Sequence, residues 1–278
     1  MVQMRLTVSE DKKEIIKVNG RTWLKEVDSL AKEEPLEIQL IHPHWTDPYS
    51  LVITMRTPGD DEDLIIGYLF TEGIIGAANE VLGFTYSQSC VTLVHLASEV
   101  SFDPLVFRRN AVSNSGCGVC GKASLDFLVS STRFRPKPQH PLVRQDILSR
   151  IVPALEQEQL DFKNSGGVHA AALFDDKGHL LLVREDIGRH NAVDKLIGAG
   201  LRLGLALPWD QSLCLVSGRA GFELIQKVCM TGLGVFVAVG APSSLTVEWA
   251  EQHDLTLIGF LKGDRFNIYT SPERIELV

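Results

Sequence analysis

The stretch "HAAALFDDKGHLLLVREDIGRHNAVDKLIGAGL" (169–201) decides the fold class. Apolar residues run through "HAAALF" and "LLLVRE" without alternation, which predicts two strands that are buried on both faces. The intervening "DDKG" is typical of a hairpin turn, because Gly178 tolerates a positive φ. The segment "HNAVDKLIGAGL" then predicts a helix. Strands of this kind, followed by a helix, indicate a sheet enclosed between helix layers.

The sequence after residue 201 continues this alternation of strands and helices. Strands are predicted at "SLCLVS" (212–217), "VFVAVG" (235–240) and "LTLIGF" (255–260), and helices at "GFELIQKVCMTG" (221–232) and "SLTVEWAEQH" (244–253). The class is therefore α/β. In such sheets ligands collect at strand ends, where loops lead into helix N-termini. The loops at these positions are "REDIGRHN", "SGRAG", "GAPSS" and "FLKGDR", all rich in Gly, Ser or cations.

The sequence before residue 131 is richer in predicted strands, so the whole chain is α+β. Strands are predicted at "EIIKV" (14–18), "LEIQLI" (36–41), "SLVITM" (50–55), "GFTYSQ" (83–88) and "VTLVHLA" (91–97). "TPGDDEDLIIGYLFTEGII" has helical spacing, with carboxylates at its start that oppose the helix dipole. We predict an antiparallel sheet with at least one helix on it.

Three prolines in "STRFRPKPQHP" (131–141) exclude a helix interior or a central strand there. This segment is predicted to link two domains. The smaller, β-rich domain spans residues 1–130, and the α/β domain spans residues 142–278.

The composition is that of an ordinary soluble globular protein, with 45% hydrophobic and 22% charged residues. A net charge of -8 argues against general nucleic-acid binding, although one local basic pocket could still hold an anion. The sequence predicts neither a signal peptide nor an apolar stretch that could span a bilayer. Five cysteines are an odd number, which is typical of a reduced, cytoplasmic protein.

Two of those cysteines, Cys117 and Cys120, lie in the glycine-rich segment "SGCGVCGK" (115–122). The cations that flank them in sequence, and that would stabilise a thiolate or a persulfide, are Arg108, Arg109 and Lys122. The pair could bind a metal, cycle between dithiol and disulfide, carry a sulfur atom, or form an inert turn. Thioredoxin-type motifs usually begin a helix after a strand, which this loop does not.

A zinc site needs three or four ligands, and one C-x-x-C supplies two of them. His169 or His190 could complete such a site. Zinc deaminases use H-x-E before P-C-x-x-C, however, whereas here the C-x-x-C comes first and Ala171 stands in the place of the glutamate. A zinc-dependent, deaminase-like hydrolase is therefore one alternative function for the protein, although its sequence lacks the order of ligands that such enzymes use.

The segment "SGCGVCGK" closely resembles the signature of the FdhD family, sulfur carrier proteins needed for formate dehydrogenase activity. Similar blocks cover most of the chain, among them "MRTPGDDEDLIIGYLFTEGII", "REDIGRHNAVDKLIG" and "GAPSSLTVEWAEQHDLTLIGFLKGDRFNIYT". The resemblance implies a sulfurtransferase that takes persulfide sulfur from a cysteine desulfurase. It implies transfer to the molybdenum or tungsten of a bis(molybdopterin guanine dinucleotide) cofactor that serves formate dehydrogenase. It also implies a homodimer, no intrinsic metal, and a larger domain similar to the cytidine-deaminase fold.

By the same resemblance Cys117 carries the persulfide, and Cys120 assists through thiol exchange. The family's cofactor-binding segment corresponds to Phe260, Leu261, Lys262, Gly263, Asp264 and Arg265. Two cations and a glycine suit a phosphate there, and GDP or GMP would mimic the cofactor. Many family members carry proline where Asp264 stands, and an acidic residue weakens the attraction for an anion. The motif alone would favour a charged turn.

Two further loops could contact the cofactor. At the start of the helix that begins near residue 190, Arg189, His190 and Asn191 lie where free N–H groups attract phosphate. Ser217, Gly218 and Arg219 have an equivalent position in their loop. The alternative for both loops is helix capping with a surface arginine. His169, on an apolar face, is predicted to be a satisfied core residue, and a non-catalytic cofactor chaperone is a further alternative for the whole protein.

Overall fold

The computed structural model describes residues 10–87, 90–104, 107 and 134–277. The strands are β1 (Glu10–Asn19), β2 (Thr22–Ala31), β3 (Glu34–Ile41), β4 (Tyr49–Arg56), β5 (Val81–Ser87), β6 (Val91–Leu96), β7 (Val143–Arg144), β8 (His169–Asp175), β9 (Leu180–Asp186), β10 (Ser212–Val216), β11 (Val235–Ala238), β12 (Thr256–Lys262), β13 (Arg265–Ile268) and β14 (Ile275–Glu276). The helices are α1 (Asp61–Thr71), α2 (Gln145–Glu158), α3 (Leu160–Ser165), α4 (Arg189–Arg202), α5 (Phe222–Cys229) and α6 (Ser244–Gln252), with short 3-10 turns at Ala78–Glu80 and Pro272–Arg274.

A six-stranded sheet in the order β13-β12-β11-β10-β8-β9 forms the centre of the C-terminal part. Strands β10, β11 and β12 are parallel, and the others run antiparallel to their neighbours. Alternate residues of β10 belong to two different cores: Leu213 is in the core that contains Ile151 of α2, and Cys214 is in the core that contains Val193 of α4 and Leu224 of α5. Helices therefore cover both faces, which confirms the predicted three-layer α/β architecture.

The turn between β8 and β9 forms as the sequence predicts. Gly178 has a φ of 81°, and the Asp175 carboxylate accepts hydrogen bonds from the backbone N–H groups of Lys177 and His179 at 3.0 and 2.8 Å. A Cβ at residue 178 would lie 2.7 Å from Cγ2 of Ile147 in α2. Glycine is required there by both backbone conformation and packing.

The N-terminal sheet has the order β4-β3-β6-β5. The prediction of an all-antiparallel sheet is wrong, because β3 pairs with β6 in parallel. Helix α1 carries the chain from β4 to β5, which runs in the same direction as β4, and β6 then reverses and lies beside β3 in parallel. The segment "EIIKV" also lies outside this sheet, in a separate antiparallel hairpin with β2.

Helix α1 packs directly on α4, and two glycines allow the close approach. A Cβ at Gly67 would lie 1.8 Å from the carbonyl oxygen of Asp194, and a Cβ at Gly198 would lie 1.8 Å from that of Asp63. One apolar core runs from the N-terminal sheet through α1 and α4 to the six-stranded sheet. Its members include Leu36, Leu69, Leu196, Leu224 and Leu257. The described parts of the two predicted domains therefore share a core.

The segment predicted as a linker is attached to the C-terminal part where the structure describes it. Arg274 is 1% exposed and donates hydrogen bonds to the carbonyl oxygens of His140 at 2.7 Å and Lys137 at 3.0 Å. These bonds hold the chain that leads into β7, which pairs with β14.

Two of the single cysteines fill the core. Cys214 and Cys229 are buried, and burial raises the pKa of each thiol to about 12. A thiol with so high a pKa is not a nucleophile at neutral pH. In the described part of the chain, every helix is too short or too polar to cross a lipid bilayer.

Candidate functional site

The loops that follow β10, β11 and β12 meet at one edge of the six-stranded sheet. The backbone N–H of Gly240 donates to the Gly218 carbonyl at 2.9 Å, and that of Phe260 donates to the Gly240 carbonyl at 3.1 Å. The N–H of Val239 likewise donates to Val216 at 3.1 Å. The structure therefore brings the predicted loops "SGRAG" and "GAPSS" together with Phe260.

Three helices begin at this edge: α4 at Arg189, α5 at Phe222 and α6 at Ser244. The first turns of α4 and α5 follow glycines and receive no side-chain cap, whereas Ser243 accepts a hydrogen bond from the backbone of Thr246 in α6 at 3.3 Å. Uncapped N–H groups and the positive end of the helix dipole favour an anion.

The first three side chains of "REDIGRHN" point into the protein and away from the edge of the sheet. Arg184 Nη2 lies 2.7 Å from Oδ2 of the buried Asp63 in α1. The Glu185 carboxylate accepts hydrogen bonds from the backbone N–H groups of Asp161 and Phe162 at 2.9 and 3.0 Å, which caps α3. These charges hold neighbouring elements against the sheet.

Asp186 and Lys195 form an ion pair, 2.7 Å apart, in which both side chains are 0% exposed. Lys195 Nζ also donates to the Thr57 carbonyl at 2.8 Å, and the Thr57 N–H donates to Asp186 at 3.1 Å. Asn191 Nδ2 donates to the Met55 carbonyl at 2.7 Å. Asn191, predicted as a possible ligand contact, therefore ties α4 to the end of β4.

Arg189 and His190 are the residues of this loop that remain at the edge. Arg189 Nε is buried without a hydrogen bond to any residue that the structure describes. His190 Nε2 lies 2.7 Å from the Glu223 carboxylate at the start of α5. Arg189 is thus available to a ligand, whereas His190 is engaged by a neighbouring helix.

His169 lies at this edge too, where the prediction of a satisfied core residue is wrong. It is the first residue of β8, opposite Asp186 in the register, and it is partly exposed. A Cβ on Gly218 would lie 3.3 Å from its Nδ1, so the ring rests against the "SGRAG" loop. Burial, and then the charge of Arg189, lower its pKa, so the ring is neutral at neutral pH. An apolar strand pattern does not reveal that its first residue lies outside the core.

The two histidines at this edge should make the protein less stable in mild acid. Burial lowers the pKa of both His169 and His190 below the ordinary value of 6.5. Below that pH the unfolded chain binds more protons than the folded one, so stability falls as the pH falls. The free energy of unfolding, measured in urea from about pH 7 to about pH 5, should drop less steeply in a His169→Gln/His190→Gln variant. An unchanged slope would contradict this assignment.

The segment predicted to bind the cofactor forms the β12–β13 hairpin. Phe260 has a φ of 55° and is 50% exposed, whereas Leu261 is 1% exposed and belongs to the core. Leu261 is therefore not available to a ligand, which corrects that part of the prediction. The other side chains of the segment line a pocket of about 600 Å³; its walls include Phe260, Lys262, Asp264 and Arg265 together with Gln145 and Asn267. Gln145 and Asn267 were not predicted, since Gln145 comes from a distant segment at the start of α2.

Cys117 and Cys120 lie outside the described residues, as do the cations that flank them in sequence. Arg219 is exposed beside the edge, next to Gly218. Across residues 10–87, 90–104, 107 and 134–277 there is no group of three or more His, Cys, Asp and Glu residues placed to hold a metal ion.

An edge of this kind is typical of α/β proteins that bind anionic ligands at strand ends. The chain belongs to the FdhD/NarQ family, whose sequence model matches residues 31–276. It is 41% identical over 277 residues to the sulfur carrier protein FdhD of Streptomyces avermitilis, covering 96% of each chain. It is 45% identical over 257 residues to the protein of that name from Mycolicibacterium paratuberculosis, covering 89% of this chain and 92% of the other.

A crystal structure described as a putative formate dehydrogenase accessory protein from Desulfotalea psychrophila has the same fold. It superposes with a TM-score of 0.74 over 96% of this chain and 100% of the other, at 22% identity.

Proposed function

We propose that this protein is a sulfur carrier that accepts persulfide sulfur from a cysteine desulfurase. It passes that sulfur to the metal of a bis(molybdopterin guanine dinucleotide) cofactor destined for formate dehydrogenase. The observation that carries the proposal is the match to relatives named sulfur carrier protein FdhD, which extends over 96% of the chain. A reduced thiol chemistry of this kind suits the cytoplasm.

Cys117 is the proposed carrier. Its thiolate attacks the outer sulfur of the desulfurase persulfide, a new S–S bond forms, and the desulfurase cysteine leaves as a thiolate. The cations that flank the segment in sequence would stabilise the attacking thiolate and the persulfide. On release, the Cys120 thiolate would attack the inner sulfur of the Cys117 persulfide, so that a Cys117–Cys120 disulfide forms and sulfide leaves for the metal. A thiol reductant would then restore the two cysteines.

The cofactor is the substrate of the second step, and the edge of the sheet suits its pyrophosphate groups. Arg189, Arg219, Lys262 and Arg265 are cations at or near that edge, and α4 and α5 present uncapped N-termini. This local positive charge is compatible with binding a dinucleotide although the net charge is -8. The proposal includes a homodimer, and light scattering in solution would test it.

Intact-mass spectrometry tests the first step. After incubation with a cysteine desulfurase and cysteine, the wild-type protein should gain the mass of one sulfur atom and lose it on reduction. The Cys117→Ala variant should gain none, because the accepting thiolate is gone, while Cys120→Ala should still load. Cys90→Ala is the matched control, since it removes a partly exposed thiol elsewhere.

A protein that loads no sulfur at all would contradict the carrier function. An assay of formate dehydrogenase activation distinguishes the sulfur carrier from a non-catalytic cofactor chaperone. A chaperone would support activation without either cysteine of the C-x-x-C pair.

A further inference from the structure

Asp264 carries a negative charge, which is unexpected in a pocket whose cations are proposed to hold phosphates. It stands between Lys262 and Arg265 at the tip of the β12–β13 hairpin and lines the same pocket as both cations. None of the three forms an ion pair with a residue that the structure describes. The carboxylate would repel a phosphate, and no internal partner among the described residues accounts for it.

The hairpin turn does not explain the carboxylate either. Lys262 pairs with Arg265, which leaves Gly263 and Asp264 as a two-residue loop. The positive φ that such a loop requires is supplied by Gly263, at 62°, and Asp264 is not in that conformation. Many side chains would satisfy the turn at residue 264.

Phe260 offers a flat apolar surface in the same pocket. A bulge in β12 gives this residue a φ of 55°, which is strained for a side chain of its size. Phe260 is 50% exposed, and Val239 of the adjacent loop is 37% exposed. An aromatic side chain in this position suits the face of a nucleobase, since stacking depends on the π-face.

Carboxylate chemistry then points to the kind of base. An ionised carboxylate only accepts hydrogen bonds. The Watson–Crick edge of guanine presents two adjacent donors, N1–H and the 2-amino group, whereas adenine presents an acceptor at N1. A carboxylate therefore pairs with guanine and opposes adenine, which is discrimination through an unfavourable contact with the wrong ligand.

We propose that Asp264 selects guanine in this pocket, with Phe260 stacked on the base and Lys262 and Arg265 placed for the phosphates. The inference rests on the proposed function, because it names the residue that distinguishes the guanine part of that cofactor. Asn267 and Gln145, which also line the pocket, can both donate and accept hydrogen bonds to the remaining edge of the base.

Titration calorimetry of the full-length protein with GDP, ADP and inorganic pyrophosphate tests this. The isosteric Asp264→Asn variant should bind GDP about tenfold more weakly, the loss expected for a hydrogen bond to a charged group. The same variant should bind ADP and pyrophosphate as well as the wild type or more tightly, because a negative charge beside the phosphates has been removed. GDP should thus respond differently from the other two ligands.

Two matched variants serve as controls. Glu276→Gln removes one exposed carboxylate near the pocket without altering its walls, and should leave all three affinities unchanged. Phe260→Ala should weaken the binding of GDP and ADP about tenfold and leave the binding of pyrophosphate unchanged. Its control is Phe162→Ala, which removes an exposed ring that does not line the pocket.

Three results would overturn the inference: equal affinity of the wild type for GDP and ADP, tighter binding of all three ligands by Asp264→Asn, or no change in that variant. A wild-type protein that binds none of the three ligands would instead refute the cofactor step of the proposed function. Sulfur loading from the desulfurase is measured separately and bears only on the first step.

Discussion

Replacing Gly67 with alanine is expected to destabilise the protein by about 3 kcal/mol, the upper range for overpacking a close-packed site. The new Cβ would lie 1.8 Å from the backbone oxygen of Asp194, and backbone cannot move aside as a flexible side chain can. Gly198→Ala should have a similar effect, because its Cβ would meet the backbone oxygen of Asp63 at 1.8 Å. At a helix position with free space, alanine instead of glycine should stabilise the protein by about 1 kcal/mol. A loss of stability would therefore itself indicate the clash.

The two helices cannot separate easily to relieve this clash, because ion pairs hold them. Arg202 in α4 lies 2.6 Å from Asp63 and also pairs with Glu62, and both carboxylates belong to α1. Urea unfolding followed by circular dichroism gives the measurement. Gly83→Ala is the control, since no atom outside its chain neighbours lies within 4 Å of a Cβ there. If Gly67→Ala and Gly198→Ala unfold at the wild-type urea concentration, the helix contact is misassigned.

Replacing Lys195 with methionine is expected to destabilise the protein by about 3–5 kcal/mol, the usual cost of removing one partner of a buried ion pair. The variant would leave the Asp186 carboxylate 0% exposed and without its counter-charge. It would also remove the hydrogen bond from Lys195 Nζ to Thr57, which joins α4 to the segment that follows the N-terminal sheet.

A double-mutant cycle separates the pair from its surroundings. Lys195→Met combined with Asp186→Leu should cost less than the sum of the two single changes, because the combination leaves no unpaired charge. Lys17→Met is the matched control: it breaks the exposed pair with Glu26, and we expect no measurable change. Additive effects of the two buried changes would contradict the assignment.

These contacts change the interpretation of the motif "REDIGRHN". Its composition indicates a ligand-binding loop, yet Arg184, Glu185 and Asp186 all have partners inside the protein. Arg189 is the residue of this motif that remains available at the edge of the sheet. A charged motif in a loop can therefore serve to attach a neighbouring domain as well as to bind a ligand.

Several elements could be predicted because their signals are local. The apolar strands β8 to β12 and the turn at Gly178 follow from runs and residue types within a few positions. Helix α2 was not predicted although its signal is present: Ile147, Leu148, Ile151 and Leu155 recur at helical spacing and are all buried. Pro153 inside that helix partly obscures the pattern.

The amino-acid sequence by itself determined the three-layer α/β architecture, the β8–β9 hairpin and the loops that form the candidate site. The reason is that hydrophobic periodicity and turn residues act over short distances along the chain. Only the tertiary structure decided the parallel pairing of β3 with β6 and which charges are buried as pairs. Arg184 and Asp63 are 121 positions apart in sequence, and no local pattern relates them. Their pairing depends on where the fold places α1 relative to β9, which is a property of the whole fold.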